Sequence, residues 1–399
     1  MPDSTKSAAR NANVITTLLS ILAAVGLAAT VILASHCAIA IATVNGAHWQ
    51  SFKDMMRNFE QLSERLRWFL GDMSEPTFYK QEIASLGMLL GGLLSHWAWK
   101  RGKKWQGFSV SYGTGLLPWI MFSSFLSLVL SNLIWGWTIL ESHSWQPTFV
   151  AFISVPAATV LMHGSGWKIS VVGAILGALV VTPLALILVN YMCLPYGLPT
   201  VIGNVLAIVL GSILSFMLFR IFPLLVENHK GGSDSVRPKA IHFETYGPAW
   251  VVRRMLADFT ESPFISNELA GAGLIIGMLI AISLNPLSPA YGSGLTTQIL
   301  TGQMIASALS VLIWRRAWMV NDWYPTYVPV VSVTPASIVL YGGAPVSIIL
   351  SATLGALIAP PLAAFITGFL PKDFHPYIGS VLSMYVCCVT ILPLIGFFV

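Results

Sequence analysis

The chain has 399 residues, of which 55% are hydrophobic and 9% charged, and its net charge is +5. A soluble globule carries about 25% charged residues, so a mean hydropathy of +0.75 excludes a soluble fold and points to an all-α polytopic membrane protein. The positive balance fits Lys and Arg retained in cytoplasmic loops and gives no reason to expect nucleic acid as a partner.

Residues 1–44 read as a polar tail and an anchor helix. The apolar run Val14 to Val44 is far longer than the ~7–15 residues of a signal-peptide core. Residues 45–66 form an amphipathic connecting segment in which Phe52, Met55, Met56, Phe59, Leu62 and Leu66 recur at helical spacing between charges. This pattern predicts a helix at the membrane surface. Residues 67–225 then supply five apolar segments, near 83–99, 115–140, 147–164, 167–194 and 201–225. A linker over 226–252, containing Gly231-Gly232-Ser233-Asp234, leads to residues 253–399, with segments near 268–288, 295–314, 324–343, 346–370 and 377–399. Each can cross a ~30 Å core, giving eleven crossings with the anchor.

The two groups of five are copies of one unit. Pro147 to Ala185 and Pro325 to Ala363 are identical at about fifteen of thirty-nine positions without a gap, well beyond shared composition. Arg67, Asp72, Glu75, Phe78 and Glu82 recur as Arg253, Asp258, Glu261, Phe264 and Glu268, and Tyr112-Gly113 recurs as Tyr291-Gly292. With a cytoplasmic N-terminus, about sixteen basic residues fall inside and five outside, the positive-inside pattern of an inner-membrane protein. Five crossings per copy reverse its direction, so the sequence predicts inverted repeats with the C-terminus outside, the architecture of an alternating-access carrier.

The expected site follows from prolines and hydroxyls. Thr182-Pro183 and Pro360-Pro361 fall mid-way through the fourth segments, where proline frees a backbone carbonyl. Paired breaks of this kind near the midplane point to a carrier's binding site. The third segments are short and rich in small residues, and either cross or re-enter. The matched hydroxyls Ser154 and Ser332, and Thr159 and Ser337, are the candidate substrate contacts beside Thr182, Pro183, Pro360 and Pro361. No Asp or Glu lies mid-segment. Glu82 and Glu268 stand at helix starts as capping residues, which leaves His163 as the candidate for proton or ion coupling. Asn132, Asn190, Asn204 and Gln303 are further polar candidates. The cysteines Cys37, Cys193, Cys387 and Cys388 have no metal-ligand spacing, so neither a metal nor a cofactor is expected.

The resulting expectation is a secondary transporter for a small polar solute, coupled to sodium or protons or to neither, embedded in the lipid bilayer and with a homodimer among its options. Two other classes stay open. One is a channel or the membrane subunit of a larger complex. The other is a membrane-embedded enzyme, for which His163-Gly164-Ser165-Gly166 is the sole hydrolase-like fragment, without the pattern of a nucleophile elbow.

Overall fold

The computed structural model of the chain describes residues 2–227 and 246–399, with side chains from residue 14 onward. Most of the expected linker, including Gly231-Gly232-Ser233-Asp234, lies outside the described residues. Among those described the architecture is all-helical, with no strand. Within the described residues seven helices are long and apolar enough to cross a membrane: Val14–Asn45, Leu117–Trp135, Trp167–Cys193, Thr200–Ile221, Thr296–Ile313, Pro345–Thr367 and Tyr377–Gly396. Leucines such as Leu22 and Leu33 on the first of these stay exposed, as side chains facing lipid do. These long apolar helices mark a membrane protein.

Helix α1 (Pro2–Asn45) packs along the second copy, where Arg315 donates from Nη1 to Ser20 Oγ at 3.1 Å. Helix α2 (Leu62–Asp72) leads into α3 (Glu82–Lys100). Then come α4 (Leu117–Trp135), α5 (Val155–His163), α6 (Trp167–Cys193) and α7 (Thr200–Ile221). The second copy repeats the order as α8 (Pro248–Asp258), α9 (Glu268–Leu284), α10 (Thr296–Ile313), α11 (Val333–Tyr341), α12 (Pro345–Thr367) and α13 (Tyr377–Gly396).

The molecule is organised around α3 and α9, which form its most extensive helix contact. Gly87-x-x-x-Gly91 and Gly273-x-x-x-Gly277 remove the side chains at the crossing, so the backbones touch: Gly87 against Gly273, Gly91 against Leu269, Gly277 against Ile83. Such stripes of small residues permit close packing where no hydrophobic force separates protein from lipid. Partner numbers fall on one helix as they rise on the other, so the corresponding helices of the two copies run antiparallel. Each start is capped by an amide one residue earlier than the acid in which the sequence suggested a cap. Gln81 Oε1 accepts from the Ile83 amide at 2.7 Å, and Asn267 Oδ1 from the Leu269 amide at 2.8 Å. Glu82 and Glu268 instead pair with the matched Arg67 and Arg253, at 2.7 and 2.5 Å.

In the connecting segment Phe52, Met55 and Phe59 are buried, as the amphipathic spacing requires, but the pattern inverts further along the chain. On α2, Leu62 and Leu66 face outward, while Trp68 and Asp72 are buried. The inversion is tolerated because the acid finds a cation inside. Helix α8 likewise buries Trp250, Arg254 and Asp258.

The third segments are half-length. A 3-10 turn (Thr148–Ala151, and Val328–Val331 in the second copy) breaks at Ser154 or Ser332 before the nine-residue α5 or α11. The fourth segments are bent by different means. In α6 the backbone widens into π turns over Gly177–Val181 and Val189–Cys193, which accommodates the ring of Pro183. In α12 Pro360 and Pro361 sit within an uninterrupted helix. The expected broken helices are therefore a π-widened helix and a continuous one.

Candidate functional site

Between the two copies lies a cavity of about 570 Å³ whose walls are matched pairs. Glu75 and Glu261, Phe78 and Phe264, Tyr112 and Tyr291, and Trp145 and Trp323 contribute one member from each copy, and Asn204 joins them from α7. Its volume is within the ~300–1,000 Å³ of small-molecule sites.

The pairs are brought together by the loops that precede α3 and α9 and by those that follow them. The contacts are reciprocal: the Ser111 amide donates to Ile265 O at 3.0 Å, and the Ala290 amide to Tyr79 O at 2.7 Å. Ser111 and Ala290 hold corresponding positions, as do Tyr79 and Ile265. Both loops run through left-handed backbone at the same places. Phe78 and Phe264 have φ of 64° and 59°, and Tyr112 and Tyr291 have φ of 60° and 59°. Non-glycine residues in this region cost on the order of 1–3 kcal/mol each and cluster at functional sites.

Behind each wall carboxylate stands a buried charge cluster. In the first copy Lys80 pairs with Asp72 and, at 2.8 Å, with Glu75 Oε2. In the second, Arg254 pairs with Asp258 at 2.9 Å and with Glu261 Oε2 at 2.6 Å. Thr148 Oγ1 donates to Asp72 and the matched Thr326 Oγ1 to Asp258, at 2.8 and 3.0 Å. On the cavity side the Trp145 indole donates to Glu75 Oε1, and that of Trp323 to Glu261 Oε1 at 2.9 Å. Each cluster therefore holds two carboxyl groups against one cation. Burial pushes Glu75 up to about 8, against the pull of Lys80 and with help from Asp72. Burial likewise raises Asp258 to about 6, opposed by Arg254. Tyr112 is raised by burial and by Glu261, and Tyr291 by burial and by Glu75, so each phenol faces the other copy's carboxylate and keeps its proton.

The cations do not correspond. Arg254 aligns with Trp68, and Lys80 with Ser266. The Lys80 ammonium lies 3.5 Å from the Trp68 ring centroid, and Arg254 Nη1 reaches Ser266 Oγ at 3.4 Å. One charge fills equivalent space in both copies but is supplied from opposite ends of the same pair of positions.

No protein-family model matches this chain, nor does any curated protein or solved structure.

The residues singled out by sequence lie elsewhere. Ser154 Oγ donates to Val150 O and Ser332 Oγ to Val328 O, at 2.7 and 2.6 Å, and Thr159 Oγ1 donates to Val155 O at 2.7 Å. Thr182 Oγ1 and Ser131 Oγ are 3.0 Å apart. Ser337 Oγ is buried without a partner. None of these five lines the cavity, and neither do Pro183, Pro360 and Pro361. The carbonyl that Pro360 frees, Ala356 O, accepts from the Trp314 indole at 2.8 Å, and Ala178 O accepts from the matched Trp135 at 2.9 Å. The carbonyls of Ala356 and Ala178 are thus occupied by tryptophans. His163 is half-buried at the end of α5 against Phe219, with ring centroids 5.4 Å apart, and is also outside the cavity. Of the lower-ranked polar candidates, Asn204 reaches the cavity. Gln303 lies behind it, accepting from Tyr79 Oη at 2.8 Å.

Proposed function

We propose that the protein is a secondary transporter of the alternating-access type, built from two inverted five-helix repeats and an anchor helix, with its substrate site in the cavity between the repeats. The carrying observation is that corresponding residues of the two copies line one cavity and exchange reciprocal contacts across it. The antiparallel pairing of α3 with α9 supports inversion, because repeats related along the membrane normal would set corresponding helices parallel. Two inverted copies around one site have two arrangements of equal design, one open to each face.

The buried clusters alter the coupling expected from sequence. Carboxyl groups held above their ordinary range by burial bind and release protons near neutral pH, and Glu75 with Asp258 supplies such groups beside the site. Protons are therefore the coupling ion we favour, with the clusters in the role first assigned to His163. The reading retains eleven crossings, a cytoplasmic N-terminus and an external C-terminus in an inner membrane.

Two single cysteines in a chain freed of Cys37, Cys193, Cys387 and Cys388 test the mechanism. Thr200→Cys and Ser262→Cys both place a thiol at the cavity wall. An impermeant thiol reagent should reach the cavity from either face of sealed vesicles, but from one face at a time when the protein is cross-linked in one state. Simultaneous access from both faces would establish a channel, and access from neither would remove the cavity from any transport path.

A further inference from the structure

The chemistry of the cavity wall identifies a ligand class, an inference that rests on the carrier reading for its biological meaning but not for its test. We propose that the cavity binds an organic ammonium ion with an apolar body, rather than a small polar solute or an anion. Among the described residues no lysine or arginine lines it, whereas two carboxyl groups do. The cations that accompany those carboxylates, Lys80 and Arg254, stand behind them on the Oε2 side, 0% and 3% exposed at the side chain. The Oε1 side of each faces the indole and phenol at the wall.

Each cluster opposes two carboxyl groups to one cation. While Glu75, held up to about 8, keeps its proton the Lys80 cluster is balanced, and release of that proton leaves an excess negative charge that attracts a positive ligand and repels an anion. The basic side chain among the described wall residues is His375, which burial lowers to about 4 and so keeps neutral. Aromatic faces complete an ammonium site. Trp145 lies edge-to-face with Tyr291 at 6.1 Å and near Phe149 at 6.4 Å, all three bordering Glu75 in the wall. Aromatic faces attract an ammonium through the ring quadrupole, most strongly when water is excluded.

A second observation points independently to a ligand that donates hydrogen bonds. Asn204 is 6% exposed and lines the cavity, yet its side-chain oxygen has no hydrogen-bond partner among the described residues. A buried amide oxygen without a partner is costly unless a donor arrives, and an N–H of the ligand is such a donor. Most of the remaining wall is aliphatic or aromatic, including Ile153, Val201, Ile208 and Met384, and this surface requires an apolar body to cover it.

The experiment compares 4-phenylbutylammonium with 4-phenylbutyrate, which share one apolar body and differ in the sign of the charge, by calorimetric titration into the detergent-purified full chain. The ammonium should bind and the carboxylate should bind at least about tenfold more weakly. Glu75→Gln with Glu261→Gln should lower the ammonium affinity by about tenfold or more, as loss of charged hydrogen bonds does. Asn204→Leu, which leaves both clusters intact, should lower it as well and serves if the double variant does not fold. Equal or tighter binding of the carboxylate, no binding of the ammonium, or an ammonium affinity unchanged in the variants overturns the assignment. Each of those results leaves the two-sided thiol access unaffected, so the ligand class and the carrier reading fail separately.

Discussion

Gly87 and Gly273 meet backbone to backbone at the centre of the molecule, and a methyl group on either would overlap the carbonyl oxygen of the other. The contact is self-reciprocal, as a two-fold relation between copies requires. Neither neighbour can move aside, because each is main chain within a helix. Gly87→Ala should therefore push α3 from α9 and lower stability by about 1–3 kcal/mol or more, with Gly273→Ala equivalent. Gly26→Ala, with nothing within 4 Å of the added carbon, is the control. Thermal unfolding in detergent distinguishes them, and equal midpoints for all three would mean that the helices do not cross as closely as described.

The exchanged cation positions lead to a second prediction. Lys80→Ser leaves Asp72 and Glu75 buried together without a cation, and breaking a buried pair in this way costs about 3–5 kcal/mol. Trp68→Arg in the same chain copies the second copy's solution, where Arg254 holds the tryptophan's position and Ser266 the lysine's. The double variant Trp68→Arg, Lys80→Ser should recover a large part of the lost stability, whereas Trp68→Arg alone adds a second cation and should not stabilise. A double variant no better than Lys80→Ser would show that the two clusters are not equivalent solutions.

The helices were legible because hydropathy and the repeated stretch between Pro147 and Ala185 mark them twice over. The site was less so. Glu75 and Glu261 stood out as matched positions, but a hydropathy profile places any charged stretch outside the membrane, and the pairing that carries these loops inward is local to Lys80 and Arg254. That pairing escapes a position-by-position comparison, since the cation changes place between the copies. The signal that could have found the cavity was the recurrence of chemistry outside the apolar segments, where Asp72, Glu75, Tyr112 and Trp145 return as Asp258, Glu261, Tyr291 and Trp323. Conversely, Pro360 did announce a freed carbonyl. Its capture by Trp314 depends on a helix–helix contact that no local pattern encodes.

Stability should depend on pH in a direction opposite to that of a salt-bridged surface acid. Burial raises Glu75 to about 8 and Asp258 to about 6, above the ~4 of a carboxyl group in the unfolded chain. The native state therefore binds these protons more tightly, and their contribution is fully present below pH ~4 and lost as pH rises through the folded values. The thermal midpoint should fall between about pH 5 and 8. Glu75→Gln, which cannot titrate, should flatten the upper half of that decline. A midpoint that rises over this interval and is insensitive to Glu75→Gln would contradict the protonated carboxyl group.

The final prediction concerns orientation, and the charges at the two ends of the α3–α9 pair decide it. At the end where α3 finishes and α9 begins, Lys100, Arg101, Lys103 and Lys104 are all exposed. At the opposite end Arg57 pairs with Asp54 at 3.8 Å, Arg67 with Glu64 at 2.8 Å, and Lys80 within its cluster, which leaves Lys53 and Arg65 as the exposed basic residues outside an ion pair among the described residues. Positive charge retains loops in the cytoplasm, so the first end belongs inside. On the proposed reading of five crossings per copy, the antiparallel run of α3 and α9 has the second copy enter from the face at which the first copy's α3 leaves, and Val399 is expected outside. Reporter domains fused after Lys104 and after Val399 should read cytoplasmic and external respectively. A cytoplasmic signal at Val399, from a fusion that keeps the parent's thermal midpoint, would mean that a half-length third segment re-enters rather than crosses, and the count of eleven would fall with it.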